Sequence, residues 1–490
     1  MTIDRLYRFR PVDNLLDKYN ELEKQSIYFS RPEDLNDPVE GFRDIYWQGD
    51  SVVWENLFNH YLLCLMVFSI DYIIINETEK IDNPISPTLT LEDLHENFQN
   101  EFKIISDKFL NSEYVKNITK NISKYRDKVS DVELSFYLRN IHLFAINSIF
   151  EHLEKIGAYK KNPFNGFNID SLKTIDENFF STINELTEKY GEEKMRNFLK
   201  LNSDFFSGIS LIQSFNDRNK NPNKHFLISH FPHEYTRKLE ELMYPEWLTA
   251  CFMSDSTNSS VWGSYGVNHT GVCLVFSPEE KNDGNYITLD GVINGASGKK
   301  INGEVIIKIN KGKQSFKFHE INYKPIMKPI NFFESIAQLP YGKVYKTWFI
   351  DRQGNKSKII PDYNDMWRDN HWENFYQGIT QKTKDWEYEN EHRLIITTMG
   401  NDYNTIEDRT LTYNFKSLKG IIFGIKTSEE DKVKIMGIVE TKIKENEHYD
   451  FSFYQAYYCH DTGKIKHYKL SALKFKKPTP DTDLETKPND

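Results

Sequence analysis

The feature that most limits how this chain folds is a change of hydrophobic period near residues 51 and 245. Outside that stretch, short segments alternate apolar and polar residues. Inside it, apolar residues recur three and four apart and glycine is scarce. Leu57, Tyr61 and Cys64 keep the helical spacing, as do Leu134, Tyr137, Leu138, Ile141, Ala145 and Ile149. One element cannot serve both periods, because a helix repeats a face every 3.6 residues and a strand every second residue. The pattern predicts an α+β fold: a mixed, mainly antiparallel sheet core formed by both ends of the chain, with a large all-helical insertion at 51–245. Residues 1–50 supply a strand-helix-strand part of that core and 246–475 the remainder. The end, 476–490, is rich in Pro, Thr, Asp and Lys and reads as a disordered tail.

At the N-terminus, alternation over 3–10 places Leu6, Arg8 and Arg10 on one face and Tyr7 and Phe9 on the other. Asp13 is placed to cap a helix through Leu15, Tyr19 and Leu22, and a second strand follows at 26–30. Asn36-Asp37-Pro38 then signals a turn. Strand character returns at 248–253, followed by a polar loop holding Trp262 and Tyr265, and continues at 271–276, 303–308 and 315–323. A helical stretch is expected at 329–338, strands at 388–398, 419–426, 451–458 and 464–474, and a helix from Ser428 to about 445.

Composition narrows the function classes. The 34 Phe, 28 Tyr and 8 Trp can carry a core that is short of aliphatics. A net charge of −10 argues against holding duplex nucleic acid by a bulk basic field. Cys64, Cys251, Cys273 and Cys459 lie far apart, so neither a zinc framework nor disulfides are expected; Cys251 and Cys273, in apolar runs, read as buried. The start lacks a signal-peptide apolar region. The apolar segment 61–75 contains Asp71 and falls short of the ~20 residues a membrane span needs. A cytoplasmic protein with no membrane partner is the expectation.

The candidate chemistry is Glu389-Asn390-Glu391-His392-Arg393. On a strand, Glu389, Glu391 and Arg393 point to one side. That is either a solvated face with an ion pair, or two carboxylates close enough to raise one pKa and serve acid–base work. If they take a metal instead, Glu389, Glu391 and Asp37 offer hard oxygen ligands for Mg²⁺, with Arg393 or Lys384 on phosphate, as in a nuclease. No P-loop, GxSxG, HExxH or HNH-like histidine cluster accompanies them, and no metal site is assigned. A third reading is non-catalytic: the helical block 51–245 binds a partner protein and the α+β part senses a small ligand.

Three groups of segments resemble the bacterial domain of unknown function 2971 family. They are Leu6-Tyr7-Arg8-Phe9-Arg10 with Ile27-Tyr28-Phe29-Ser30 and Leu35-Asn36-Asp37-Pro38; Cys251-Phe252 through Trp262, Tyr265, His269 and 271–276; and 384–394 followed by 418–424. Ser264 stands where that family often carries histidine. The resemblance implies an effector of bacterial stress or anti-phage defence, of toxin type. The Glu-x-Glu also resembles the catalytic signature of ADP-ribosyltransferases. That likeness implies NAD as cofactor and a protein or nucleic-acid acceptor. Glu391 would stabilise the ribose cation as nicotinamide leaves, and Glu389 would orient the acceptor. Arg8 or Arg10 would grip a phosphate or ribose, Tyr265 would stack on nicotinamide, and His269 and Arg393 would serve as further cofactor contacts. The same residues have plainer readings: salt bridges for Arg8 and Arg10, core packing for Trp262 and Tyr265, an exposed loop for His269.

Overall fold

Strands form where the sequence alternates, and their pairing sets which side chains share a face. The computed structural model describes residues 4–75, 79–163, 175–216, 221–301, 304–324, 328–398 and 402–475. The tail expected at 476–490 lies outside the described residues. The first strands in chain order are β1 (Leu6–Arg10), β2 (Ser26–Tyr28), β3 (Ile45–Trp47), β4 (Val129–Ser130), β5 (Trp247–Met253), β6 (Val272–Phe276), β7 (Glu279–Lys281) and β8 (Gly284–Ile301). They are followed by β9 (Glu304–Lys317), β10 (His319–Glu320), β11 (Ile330–Asn331), β12 (Glu391–Thr397), β13 (Thr410–Tyr413), β14 (Leu418–Phe423), β15 (Ser452–Cys459) and β16 (Lys464–Lys469).

The chain divides into two units. Unit 1 falls within Met1–Phe42, Glu246–Ile326 and Tyr376–Asp490; unit 2 within Arg43–Pro245 and Met327–Phe375. The fold is α+β with a helical region, as the two hydrophobic periods predict. The division differs from the sequence expectation in two respects: 43–50 and 327–375 side with the helical part, not with the sheet.

In unit 1 an eight-stranded sheet has the order β10-β12-β5-β1-β6-β14-β15-β16, antiparallel throughout except for β14 and β15. A second, antiparallel sheet runs β2-β13-β8-β7, with β9 on β8. One face of the large sheet buries Leu6, Phe252, Leu274, Phe276, Leu394 and Ile421 together with Ile435 and Val439 of helix Glu429–Asn446. The other face buries Phe9, Met253, Trp262, Cys273, Val275 and Ile422. With both faces covered, the central strands read as apolar runs: every residue of β6 is buried. Gly420 in β14 is required by a close approach, since a Cβ there would sit 2.4 Å from the Ser452 carbonyl oxygen.

Unit 2 holds the helices of the glycine-poor block, among them Ser51–Ile74, Glu96–Leu110, Glu113–Tyr125, Asp131–Lys155, Glu177–Tyr190 and Glu192–Asn216. It is not all-helical: β11, β3 and β4 form a small three-stranded sheet within it. Ser51–Ile74 is long and apolar enough to cross a membrane by length and composition, but 67% of its most apolar window is buried inside the fold.

Several local expectations change. The helix expected after Asp13 is a π-helical turn, Asn14–Lys18, then a short α-helix, Glu21–Lys24, separated by Asn20 in the left-handed region. The stretch 329–338 is β11 and a 3₁₀ turn at Phe333–Ser335 rather than a helix. The polar loop before β6 contains a helix, Ser259–Ser264, capped by Asn258, whose side chain accepts from the Ser260 and Val261 amides. Cys273 is buried as expected, whereas Cys251 is half-buried, and the four cysteines are free.

Candidate active site

The strand expected over 388–398 begins only at Glu391. Residues Lys384–Glu389 form a 3₁₀ helix, and Asn390, at φ 45°, turns the chain from that helix into β12. Asparagine tolerates this left-handed conformation better than most residues. The Asn390 carbonyl is anchored by the Ser254 amide at 3.0 Å. Glu389 and Glu391 are therefore brought together by a turn, not by strand alternation.

Both carboxylates converge on Lys382, a residue the sequence pattern did not single out. Its Nζ lies 2.7 Å from Glu389 Oε2 and 2.9 Å from Glu391 Oε2, and 4.9 Å from the centre of the Trp386 ring. Arg393, two residues along β12 on the same face, donates from Nε to Glu391 Oε1 at 2.7 Å and from Nη2 to Oε2 at 3.2 Å. Its Nη1 donates to the Ile379 carbonyl at 2.8 Å and pairs with Glu40 Oε1. The Glu391 amide donates to the Tyr323 hydroxyl at 2.7 Å. Toward solvent, the Tyr265 hydroxyl donates to Glu389 Oε1 at 2.6 Å and accepts from exposed Asn36 Nδ2 at 3.2 Å. Tyr265 is half-buried, one residue beyond the helix that plants Trp262 in the core beside Phe9.

Glu389 and Glu391 are each 1% exposed and Arg393 is 0% exposed, so the network works in a low-dielectric setting where pairing decides protonation. Three carboxylates face two cations. Burial raises the Glu389 carboxyl above its ordinary value, against the opposing pull of Lys382 and the Tyr265 hydroxyl. Burial likewise raises Glu40, with Arg393 opposing. Burial would raise Glu391 as well, but Arg393 by charge and hydrogen bonding, helped by Lys382, holds it down at about 2. Lys382 is pushed up despite burial because Glu391 and Glu389 face it. Glu391 is thus held as a carboxylate, while burial makes Glu389 and Glu40 the members that take up a proton more readily.

The sequence-predicted residues separate into three places. Glu389, Glu391, Arg393 and Tyr265 are together. Arg8 and Arg10 are not with them. In the antiparallel register Glu391 opposes Met253, and Met253 opposes Tyr7, so Glu391 shares a face with Tyr7. Arg8 and Arg10 alternate onto the other face. Arg8 is buried there, with Cζ 5.3 Å from the Phe252 ring centre and Nη2 donating to the Tyr28 carbonyl at 3.2 Å. Arg10 grips Glu21, with Nε to Oε2 at 2.7 Å. Neither guanidinium is presented to a ligand beside Glu391; both hold the opposite face in place.

His269 sits on a run of left-handed residues, Val267, Asn268 and His269 at φ 48°, 52° and 70°. Its carbonyl accepts from the Lys426 amide at 2.9 Å, and it takes no part in the Glu389–Lys382–Glu391 network among the described residues. Asp37 is buried and accepts from the Val39 amide at 3.1 Å. Among the described residues no group of three or more His, Cys, Asp and Glu side chains is placed to hold a metal ion, so Glu389, Glu391 and Asp37 do not form one.

Sequence reasoning missed Lys382, Glu40 and Tyr323. A lysine at position 382, close before an acidic pair, is the available signal, whereas Lys384, the lysine offered for a phosphate, is exposed. Glu40 and Tyr323 carried no local signal, since they reach the site from separate segments. Beside the network lies an open cavity of about 410 Å³ lined by Glu320, Ile321, Asn322, Tyr323, Lys324 and Glu387. Tyr323 joins that cavity to the Glu391 amide.

Residues 261–394 match the family described as Protein of unknown function (DUF2971), which bears out the family resemblance read from the sequence. The matched stretch includes Tyr265, Tyr323, Lys382, Glu389, Glu391 and Arg393 but not Glu40. No curated protein and no solved structure matches the chain.

Proposed function

We propose that this protein is a bacterial stress or anti-phage effector of toxin type whose unit 1 uses NAD, as an ADP-ribosyltransferase or an NAD glycohydrolase, with Glu389 as the reacting carboxylate. One observation carries this reading. Glu389 is a buried carboxyl, raised by that burial, and it accepts the hydroxyl of half-buried Tyr265 at 2.6 Å. An aromatic ring and a carboxylate side by side suit a nicotinamide riboside: the ring stacks on the base, and the carboxylate faces the ribose. As the glycosidic bond breaks, its electron pair leaves on nicotinamide and positive charge develops at the ribose carbon. Glu389, ionised by its contact with Lys382, stabilises that charge. The acceptor hydroxyl or a water then attacks and passes its proton to Glu389. Glu391, gripped by Arg393 and Lys382, positions the frame instead of reacting.

Full-length protein is incubated with labelled NAD and bacterial extract, and nicotinamide release and labelled products are followed. Release by the wild type, its loss in Glu389→Gln and its reduction in Tyr265→Phe are expected. No release by the wild type, or equal release by Glu389→Gln, refutes the assignment. A non-catalytic sensor is the second reading, favoured by the complete pairing of Glu391 and Arg393. It predicts that biological activity survives Glu389→Gln.

A further inference from the structure

Two histidines of unit 2 meet nitrogen to nitrogen: His225 Nε2 and His230 Nε2 are 3.0 Å apart. His225 ends a short helix, Pro222–His225, and His230 ends the π-helical turn Phe226–His230 that follows. In an α-helix residues five apart point to different sides. The wider π turn, with its five-residue repeat, brings these two rings together, and such turns are frequent at functional sites. From the helix Glu192–Asn216, Ser210 and Ser214, one turn apart, add two hydroxyls. Ser214 Oγ lies 2.7 Å from His225 Nε2, and Ser210 Oγ lies 3.2 Å from both ring nitrogens.

Hydrogen bonding alone does not satisfy this arrangement. A ring Nε2 carries either one proton or one lone pair, yet three heteroatoms crowd that of His225. Two imidazole nitrogens with two hydroxyls beside them form a donor set that suits a small cation. Two imidazole ligands at Zn–N distances of about 2.0–2.1 Å in a tetrahedron stand roughly 3.3 Å apart, close to the separation here. We propose that His225 and His230, with the hydroxyls of Ser210 and Ser214, form a binding site for a divalent late first-row metal ion that clips helix Glu192–Asn216 to the helical segment 222–238.

Imidazole nitrogen selects zinc, nickel or copper over magnesium or calcium. Hydroxyls and water complete the shell, since no third His, Cys, Asp or Glu joins the pair among the described residues. His230 is exposed and His225 half-buried, so a cation reaches the pair from solvent.

Zinc is titrated into metal-free full-length protein, with binding followed by calorimetry and thermal melting followed with and without zinc. One equivalent bound, and a zinc-dependent rise in Tm, are expected. His225→Ala and His230→Ala should each weaken binding at least tenfold and abolish the rise. Ser214→His, which adds a third imidazole, should tighten binding at least tenfold. Melting of each variant without metal checks that it folds. No zinc bound by the wild type, equal binding by the His225→Ala/His230→Ala double variant, or no tightening in Ser214→His overturns the proposal.

Discussion

Replacing Lys382 by methionine is the sharpest probe of the acidic network. Methionine keeps most of the chain length and the contact with Trp386 but removes the ammonium that lies 2.7 and 2.9 Å from two carboxylates. The lysine side chain is 5% exposed and both glutamates 1%, so water cannot replace it cheaply. Removing one partner of a buried ion pair costs about 3–5 kcal/mol, because the remaining charge is left uncompensated. Here Arg393 still neutralises Glu391, and the cost falls on Glu389. That residue can escape by binding a proton, which makes the loss depend on pH. With its folded pKa raised above the unfolded value near 4.3, Glu389 binds protons better in the folded state, so stability declines as pH rises above that value. The variant should therefore be about 3–5 kcal/mol less stable than wild type at pH 8 and recover part of the loss at pH 5. Adding Glu389→Gln should recover part of it at pH 8, since the unpaired charge is gone. Urea unfolding read through hydrogen exchange of β12 amides reports on unit 1 itself. A Lys382→Met variant within about 1 kcal/mol of wild type at pH 8, or a deficit that is the same at pH 5, would refute the argument.

Other outcomes follow from the same contacts. Arg8→Met should destabilise the protein by roughly 1–3 kcal/mol through the unsatisfied Tyr28 and Cys251 carbonyls and, under the proposed use of NAD, leave nicotinamide release by the folded fraction unchanged; a selective loss of release would contradict its place on the opposite face. Trp262→Ala should cost about 3–5 kcal/mol in denaturant unfolding, since the ring is fully buried against Phe9. Gly420→Ala should lower Tm by several degrees, because the Ser452 carbonyl occupies the space of its Cβ. In unit 2, burial pulls His60, His142 and His371 down to about 4. The unfolded chain binds these protons near 6.5, so stability from the three neutral rings is complete above that value and is lost as pH falls through about 4. A melting series from pH 7.5 to 4.5 should show Tm falling, with a shallower slope in His142→Gln.

What could be read from the chain alone was periodic. The helical block around Leu57–Cys64 and Leu134–Ile149, the apolar strands β5 and β6, and the family-matching segment at 384–394 all declare themselves through neighbours in sequence, because local spacing fixes which face a side chain joins. Alternation also placed Arg8 and Arg10 together, correctly, opposite Tyr7 and Phe9. Sequence could not say which of those faces would meet Glu391, because that depends on the pairing of β1 with β5 and of β5 with β12, across hundreds of residues. The same limit hid Lys382, Glu40 and Tyr323, whose roles exist only once three segments converge. It misjudged Glu389 too, since a single left-handed asparagine moved it off the strand. The chain determined where its charges lie along each element. Only the tertiary structure decided which of them are buried against one another, and burial is what makes a pairing strong enough to set protonation.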